Sequence, residues 1–83
     1  MSDPEFIGPS DVKGVRALVG RRVRLPAHLS AAEYHPVGVV RSFRYGKNGT
    51  SDYITVEPDN AHGMRVKVFR MDWLYTELLG HVS

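Results

Sequence analysis

Eighty-three residues make one domain at most, and a fold of this size hides only about 60 % of the surface its unfolded chain exposes. The absence of cysteine excludes a disulfide staple and a thiolate zinc site, so the 42 % of residues that are hydrophobic must supply the core. Eleven Lys and Arg against nine Asp and Glu leave a formal charge of +2, so the distribution of charge matters more than its total.

In chain order, residues 1–6 contain no hydrophobic stretch, and Asp3-Pro4-Glu5-Phe6 reads as a cloning junction outside the fold. Nothing resembles a signal peptide and no apolar run approaches the ~18 residues of a membrane span, so an intracellular protein without a membrane partner is expected. Residues 7–19 form an N-terminal extension. Its segment PSDVKGVRALVG has the marks of a short helix: Ser10 or Asp11 as N-cap, Val12, Val15, Leu18 and Val19 on one side, and Gly20 as terminator. RRVRLP then reads as a strand ended by Pro26, with Arg22 and Arg24 opposite Val23 and Leu25. AHLSAAEYHP is a loop, with or without one helical turn.

From Pro36 the strand signals strengthen. VGVVRSFRY, DYITVE and MRVKVFR are separated by turn residues at Gly46 to Ser51 and Pro58 to Gly63, which predicts an antiparallel meander. Asn48-Gly49-Thr50 fits the glycosylation acceptor pattern, but Asn-Gly between two alternating runs is a hairpin signal and needs no secretory route. Centring the turn on that pair sets Tyr45 against Asp52, Arg44 against Tyr53, Phe43 against Ile54, Arg41 against Val56 and Val40 against Glu57. Val37, Val39, Phe43, Ile54 and Val56 then face inward, and Arg41 is the misfit that a bulge would turn out. On the next strand, Val66 meets Val56 and Val68 meets Ile54 inside, while Arg65 meets Glu57, Lys67 meets Thr55 and Phe69 meets Tyr53 outside. The tail MDWLYTELLGHVS is either a short helix capped by Asp72, or one tight helical turn followed by a last strand.

A strand, a long loop, three meandering strands, a tight turn and a final short strand follow the order of SH3-like barrels. The stretch from Gly20 to Leu79 resembles the Tudor and chromo-barrel branch of that class, with YHPVGVV shaped like the entry to the second strand and VKVFRMDWLY like the fourth strand running into the helical turn. The resemblance implies a mainly β, five-stranded SH3-like barrel over residues 20–80. It also implies a cage of rings for a methylated tail or peptide, drawn from the first loop and the ends of the middle strands. Tyr34 and Tyr45 match those places, and Trp73 and Tyr75 are the rings that would complete the set from the helical turn, although a lone Trp beside Leu74 is more often core.

Catalysis finds no machinery here. His28, His35, His62 and His81 are scattered over turns and ends, none at the i, i+4 spacing of a helical metal pair, and no cysteine nucleophile, G-x-S-x-G or phosphate loop occurs. The expectation is a non-catalytic binding module of a larger protein that takes neither cofactor nor metal. Its predicted outer face presents Val40, Ser42 and Arg44, then Tyr53, Thr55 and Glu57, then Arg65, Lys67 and Phe69. Two rings beside cations suit DNA or RNA, whose bases stack while phosphates meet Arg and Lys. Arg44, Tyr53, Arg65, Lys67 and Phe69 are therefore the candidate nucleic-acid or chromatin site, supported by Arg22 and Arg24. The alternative is a protein-interaction adaptor using Tyr34, Tyr45, Trp73 and Tyr75.

Overall fold

The computed structural model of the chain describes residues 3–8, 10–29, 36–46, 52–59 and 63–81. Its strands are β1 (Glu5–Phe6), β2 (Arg21–Arg24), β3 (Val37–Arg44), β4 (Tyr53–Pro58), β5 (Val66–Phe69) and β6 (Glu77–His81), with 3-10 helices at Asp11–Leu18, Ala27–Leu29 and Arg70–Tyr75. All strand pairs are antiparallel, in one sheet of order β1-β6-β2-β3-β4-β5. The fold is mainly β, as expected. Among the described residues no ladder joins β5 to β1, so strand pairing leaves the sheet open. None of the described helices is long and apolar enough to cross a membrane.

The sixth strand was not expected. Glu5 and Phe6, read from the sequence as lying outside the fold, pair with Leu78 and Glu77, and Ile7 beside them is fully enclosed in the core. A strand of two residues carries no alternation, so nothing local announces it. At the other end of the chain the second reading of the tail holds, because a tight turn over Arg70–Tyr75 leads straight into β6.

The meander keeps the predicted register between β4 and β5, where Tyr53 lies opposite Phe69, Ile54 opposite Val68, Thr55 opposite Lys67 and Val56 opposite Val66. Arg65 precedes the first paired residue of β5, so its expected pairing with Glu57 is not part of the ladder. Between β3 and β4, Arg44 faces Tyr53 and Phe43 faces Ile54, although the Asn48-Gly49 turn itself lies outside the described residues. At Arg41 the register shifts. Val40 then meets Val56 and Val39 meets Glu57, in place of the predicted Arg41–Val56 and Val40–Glu57 pairs. The bulge inserts one residue into β3, and the guanidinium of Arg41 turns out to Glu57 at 3.5 Å. Val40, predicted on the outer face, consequently enters the core, and Val39, predicted inside, moves to the face of Arg22 and Glu57.

The core unites Ile7, Val15, Leu18, Val23, Leu25, Val40, Ile54, Val56, Val68 and Trp73. Over its inner side lies the helix Asp11–Leu18, and the helix type decides which valines are covered. With three residues per turn, positions 12, 15 and 18 align on one side. Val15 and Leu18 are buried and Val12 packs against them, whereas Val19 is displaced from that row and is exposed, contrary to the α-helical reading. Ser10 makes no side-chain capping bond at the helix start. At the helix end, Gly20 adopts φ +93°, with its N–H donating to the Val40 carbonyl at 2.8 Å. A Cβ at Gly20 meets nothing within 4 Å, so Gly20→Ala tests backbone conformation alone. It should lower stability by about 1 kcal/mol in urea unfolding, with an unchanged m-value.

Candidate nucleic-acid interface

The face of the sheet turned away from the core carries Arg22 and Arg24 from β2, Val39, Arg41, Ser42 and Arg44 from β3, Tyr53, Thr55 and Glu57 from β4, and Lys67 and Phe69 from β5. Its charge is divided unequally. Toward β2 every guanidinium meets a carboxylate: Arg22 pairs with Asp59, Arg24 Nη1 with Glu77 Oε1 at 3.3 Å, and Arg41 with Glu57. Such exposed pairs contribute only about 0–1 kcal/mol each to stability. Their effect on a ligand is larger, because a phosphate has to displace a carboxylate of the same sign. Arg22 and Arg24, expected to support the site, are thus engaged within the protein.

Toward β5 the arrangement is different. The Tyr53 and Phe69 rings meet edge to face, their centroids 5.4 Å apart and their planes inclined at 62°. Lys67 Nζ lies 5.2 Å from the centroid of Tyr53, a cation over a ring that is worth about 0.5–1 kcal/mol at an exposed site. Arg44 stands across the ladder from Tyr53. Ser42 Oγ and Thr55 Oγ1 share a hydrogen bond of 2.5 Å between these groups and the bulge. Phe69 remains 40 % exposed at the sheet edge, while Tyr53 is half-buried. Among the described residues, no carboxylate forms an ion pair with Arg44, Arg65 or Lys67. The corner therefore offers one accessible ring beside cations that nothing described neutralises.

Side chains behind this corner hold it in place. Asp52, almost completely buried, accepts a hydrogen bond from the Gly46 N–H at 2.8 Å and stands 3.7 Å from the Arg70 guanidinium. Its carbonyl also accepts from the Arg70 N–H at 3.1 Å. These links tie the end of β3, the start of β4 and the end of β5 together, which fixes Arg44, Tyr53 and Phe69 as neighbours.

The described rings among those proposed for a cage, Tyr45, Trp73 and Tyr75, do not converge. Tyr34 lies outside the described residues. Tyr45 packs on Phe43, centroids 5.1 Å apart, and borders a cleft of about 450 Å³ with Val12, Lys13 and Arg16. Tyr75 borders a different cleft of about 470 Å³, lined by Phe6, Leu25, Pro26, His28 and Leu74. Trp73, predicted at the peptide site, is fully enclosed, with its indole N–H donating to the Val68 carbonyl at 2.9 Å. Its ring completes the core beneath β5 and has no surface to offer a ligand.

The cleft beside Tyr75 was not predicted as a site, because Phe6, part of its lining, read as lying outside the fold. His28, one of the histidines the sequence scatters over turns and ends, lies in the 3-10 helix Ala27–Leu29, is exposed at the rim and bonds Asp72 Oδ1 at 2.7 Å. His35 and His62 lie outside the described residues. No group of three or more His, Asp or Glu among the described residues is arranged to hold a metal ion. Comparison with family models, with curated proteins and with solved structures finds no match for this chain.

Proposed function

We propose that the chain is a non-catalytic, intracellular binding module of SH3-like architecture, and that its ligand is a nucleic acid, free or in chromatin. The architectural part of this reading is supported by the strand order β6-β2-β3-β4-β5 and by the 3-10 turn between β5 and β6. Along the chain, a strand, three meandering strands, a 3-10 turn and a final strand follow the order of the barrels the sequence resembles, with β1 added outside β6. The observation that carries the functional part is the exposed Phe69 ring, set against Tyr53 and flanked by Lys67 and Arg44 without a described carboxylate partner.

A base on Phe69 contributes about 1–3 kcal/mol by stacking, and the cations hold its phosphates. Phe69 is also a lenient position to mutate, since its ring is largely outside the core. Phe69→Ala should reduce affinity for a labelled oligonucleotide by about 5- to 150-fold in a fluorescence-anisotropy titration, the range set by that stacking energy, with the circular-dichroism spectrum unchanged. Absence of binding to any nucleic acid at low salt would refute the proposal.

A second reading, a peptide-binding adaptor, draws support from the apolar cleft beside Tyr75. The two separate by salt. Affinity for a polyanion falls steeply as ionic strength rises, whereas a peptide seated on apolar rings loses little.

A further inference from the structure

Resting on the nucleic-acid reading above, we infer that the outer face takes a single strand rather than a duplex, and holds it by one stacked base and at most three phosphates. The ring geometry supplies the first half of the argument. One side of Tyr53 is engaged by Lys67 and its neighbourhood by the edge-to-face contact with Phe69, so the more exposed Phe69 is the ring that offers more accessible surface. The inclination of 62° prevents two parallel bases from lying flat on both rings at once. A base that reaches Phe69 has therefore left its own stack, which is inexpensive in a single strand and costs unpairing in a duplex.

Charge supplies the second half. A duplex lays two rows of phosphates across a face, and here the second row falls on Glu57, Asp59 and Glu77, each already paired with an arginine. Among the described cations on this face, Arg44 and Lys67 have no carboxylate partner, and Arg65, one residue before β5, has none either. Arg44 and Phe69 are separated by two strand spacings, about 10 Å, so the corner spans only a very few nucleotides. Single strands lose affinity with a slope of about −0.7 in log K against log salt for each phosphate neutralised, so two or three contacts set a slope of about −1.4 to −2.1.

The test is an anisotropy titration of the full chain with labelled oligothymidylate and oligouridylate of about eight nucleotides, and with a DNA duplex, at several salt concentrations. Either single strand is expected to bind at least about tenfold more tightly than the duplex, and the arm that binds better tells DNA from RNA. Phe69→Ala should weaken the single strands and leave their salt slope unaltered, whereas Lys67→Gln should flatten the slope by about 0.7. Duplex binding equal to or tighter than single-strand binding overturns this inference and leaves the nucleic-acid reading standing. So does a slope of about −3 or steeper, since the paired arginines must then exchange their carboxylates for phosphates. Binding to none of the three probes overturns the nucleic-acid reading itself.

Discussion

Replacing Trp73 by alanine should cost about 3–5 kcal/mol of folding free energy, the largest effect expected of any single change in this chain. The indole is fully enclosed, heads the core in volume and touches the sheet through the bond from its N–H to the Val68 carbonyl. Truncation removes the packing and leaves that carbonyl without its donor. A domain of this length has a total stability of about 4–12 kcal/mol, so the loss takes a large share of it and is read directly from the urea midpoint. Trp73→Phe is the milder change, because a six-membered ring persists while the donor and the five-membered part of the indole are lost. It should cost about 2–3 kcal/mol and still fold. Unchanged oligonucleotide and peptide binding by Trp73→Phe then confirms that this side chain is scaffold; a loss of peptide affinity with an intact fold restores the cage reading.

The second large effect is expected at Gly38. A Cβ placed there comes within 2.4 Å of the Glu57 carbonyl oxygen, 2.7 Å of Val56 Cγ1 and 2.9 Å of the Glu57 carbonyl carbon. Two of these three atoms belong to the backbone of β4, so no rotamer change relieves the overlap. Gly38→Ala should therefore destabilise by about 2–3 kcal/mol, by forcing β3 and β4 apart just before the bulge that turns Arg41 outward. Gly80→Ala serves as the control, since its Cβ meets nothing within 4 Å and its φ is not positive. Equal urea midpoints for the two variants would show that β3 and β4 do not approach as closely as described.

The outer corner was legible in the sequence because its geometry is local. Turn residues between runs of alternating polarity place Arg44 beside Tyr53 and Tyr53 beside Phe69, and the structure has both neighbours. Arg41 identified itself as the residue a bulge must accommodate, since a guanidinium in an inward row has no partner there. The direction of the register beyond the bulge was not legible. One inserted residue exchanges the faces of Val39 and Val40, and alternation alone cannot say on which side of Arg41 the insertion takes effect.

Period-two patterning and turn chemistry were sufficient for the meander, the β4–β5 register and the outward rings, because each depends on residues a few positions apart. Long-range packing settled the rest. Arg22 and Arg24 are neutralised by carboxylates 37 and 53 residues away, and that depends on which strands become neighbours. That Phe6 joined the sheet followed from β6 folding back between β1 and β2, that Trp73 lay inside from its packing beneath β5, and that Tyr45 and Tyr75 border different clefts from the helix Asp11–Leu18 beside Tyr45 and β1 beside Tyr75. Burial and ion pairing are properties of the assembled surfaces, and a linear pattern encodes them only after the partners are known.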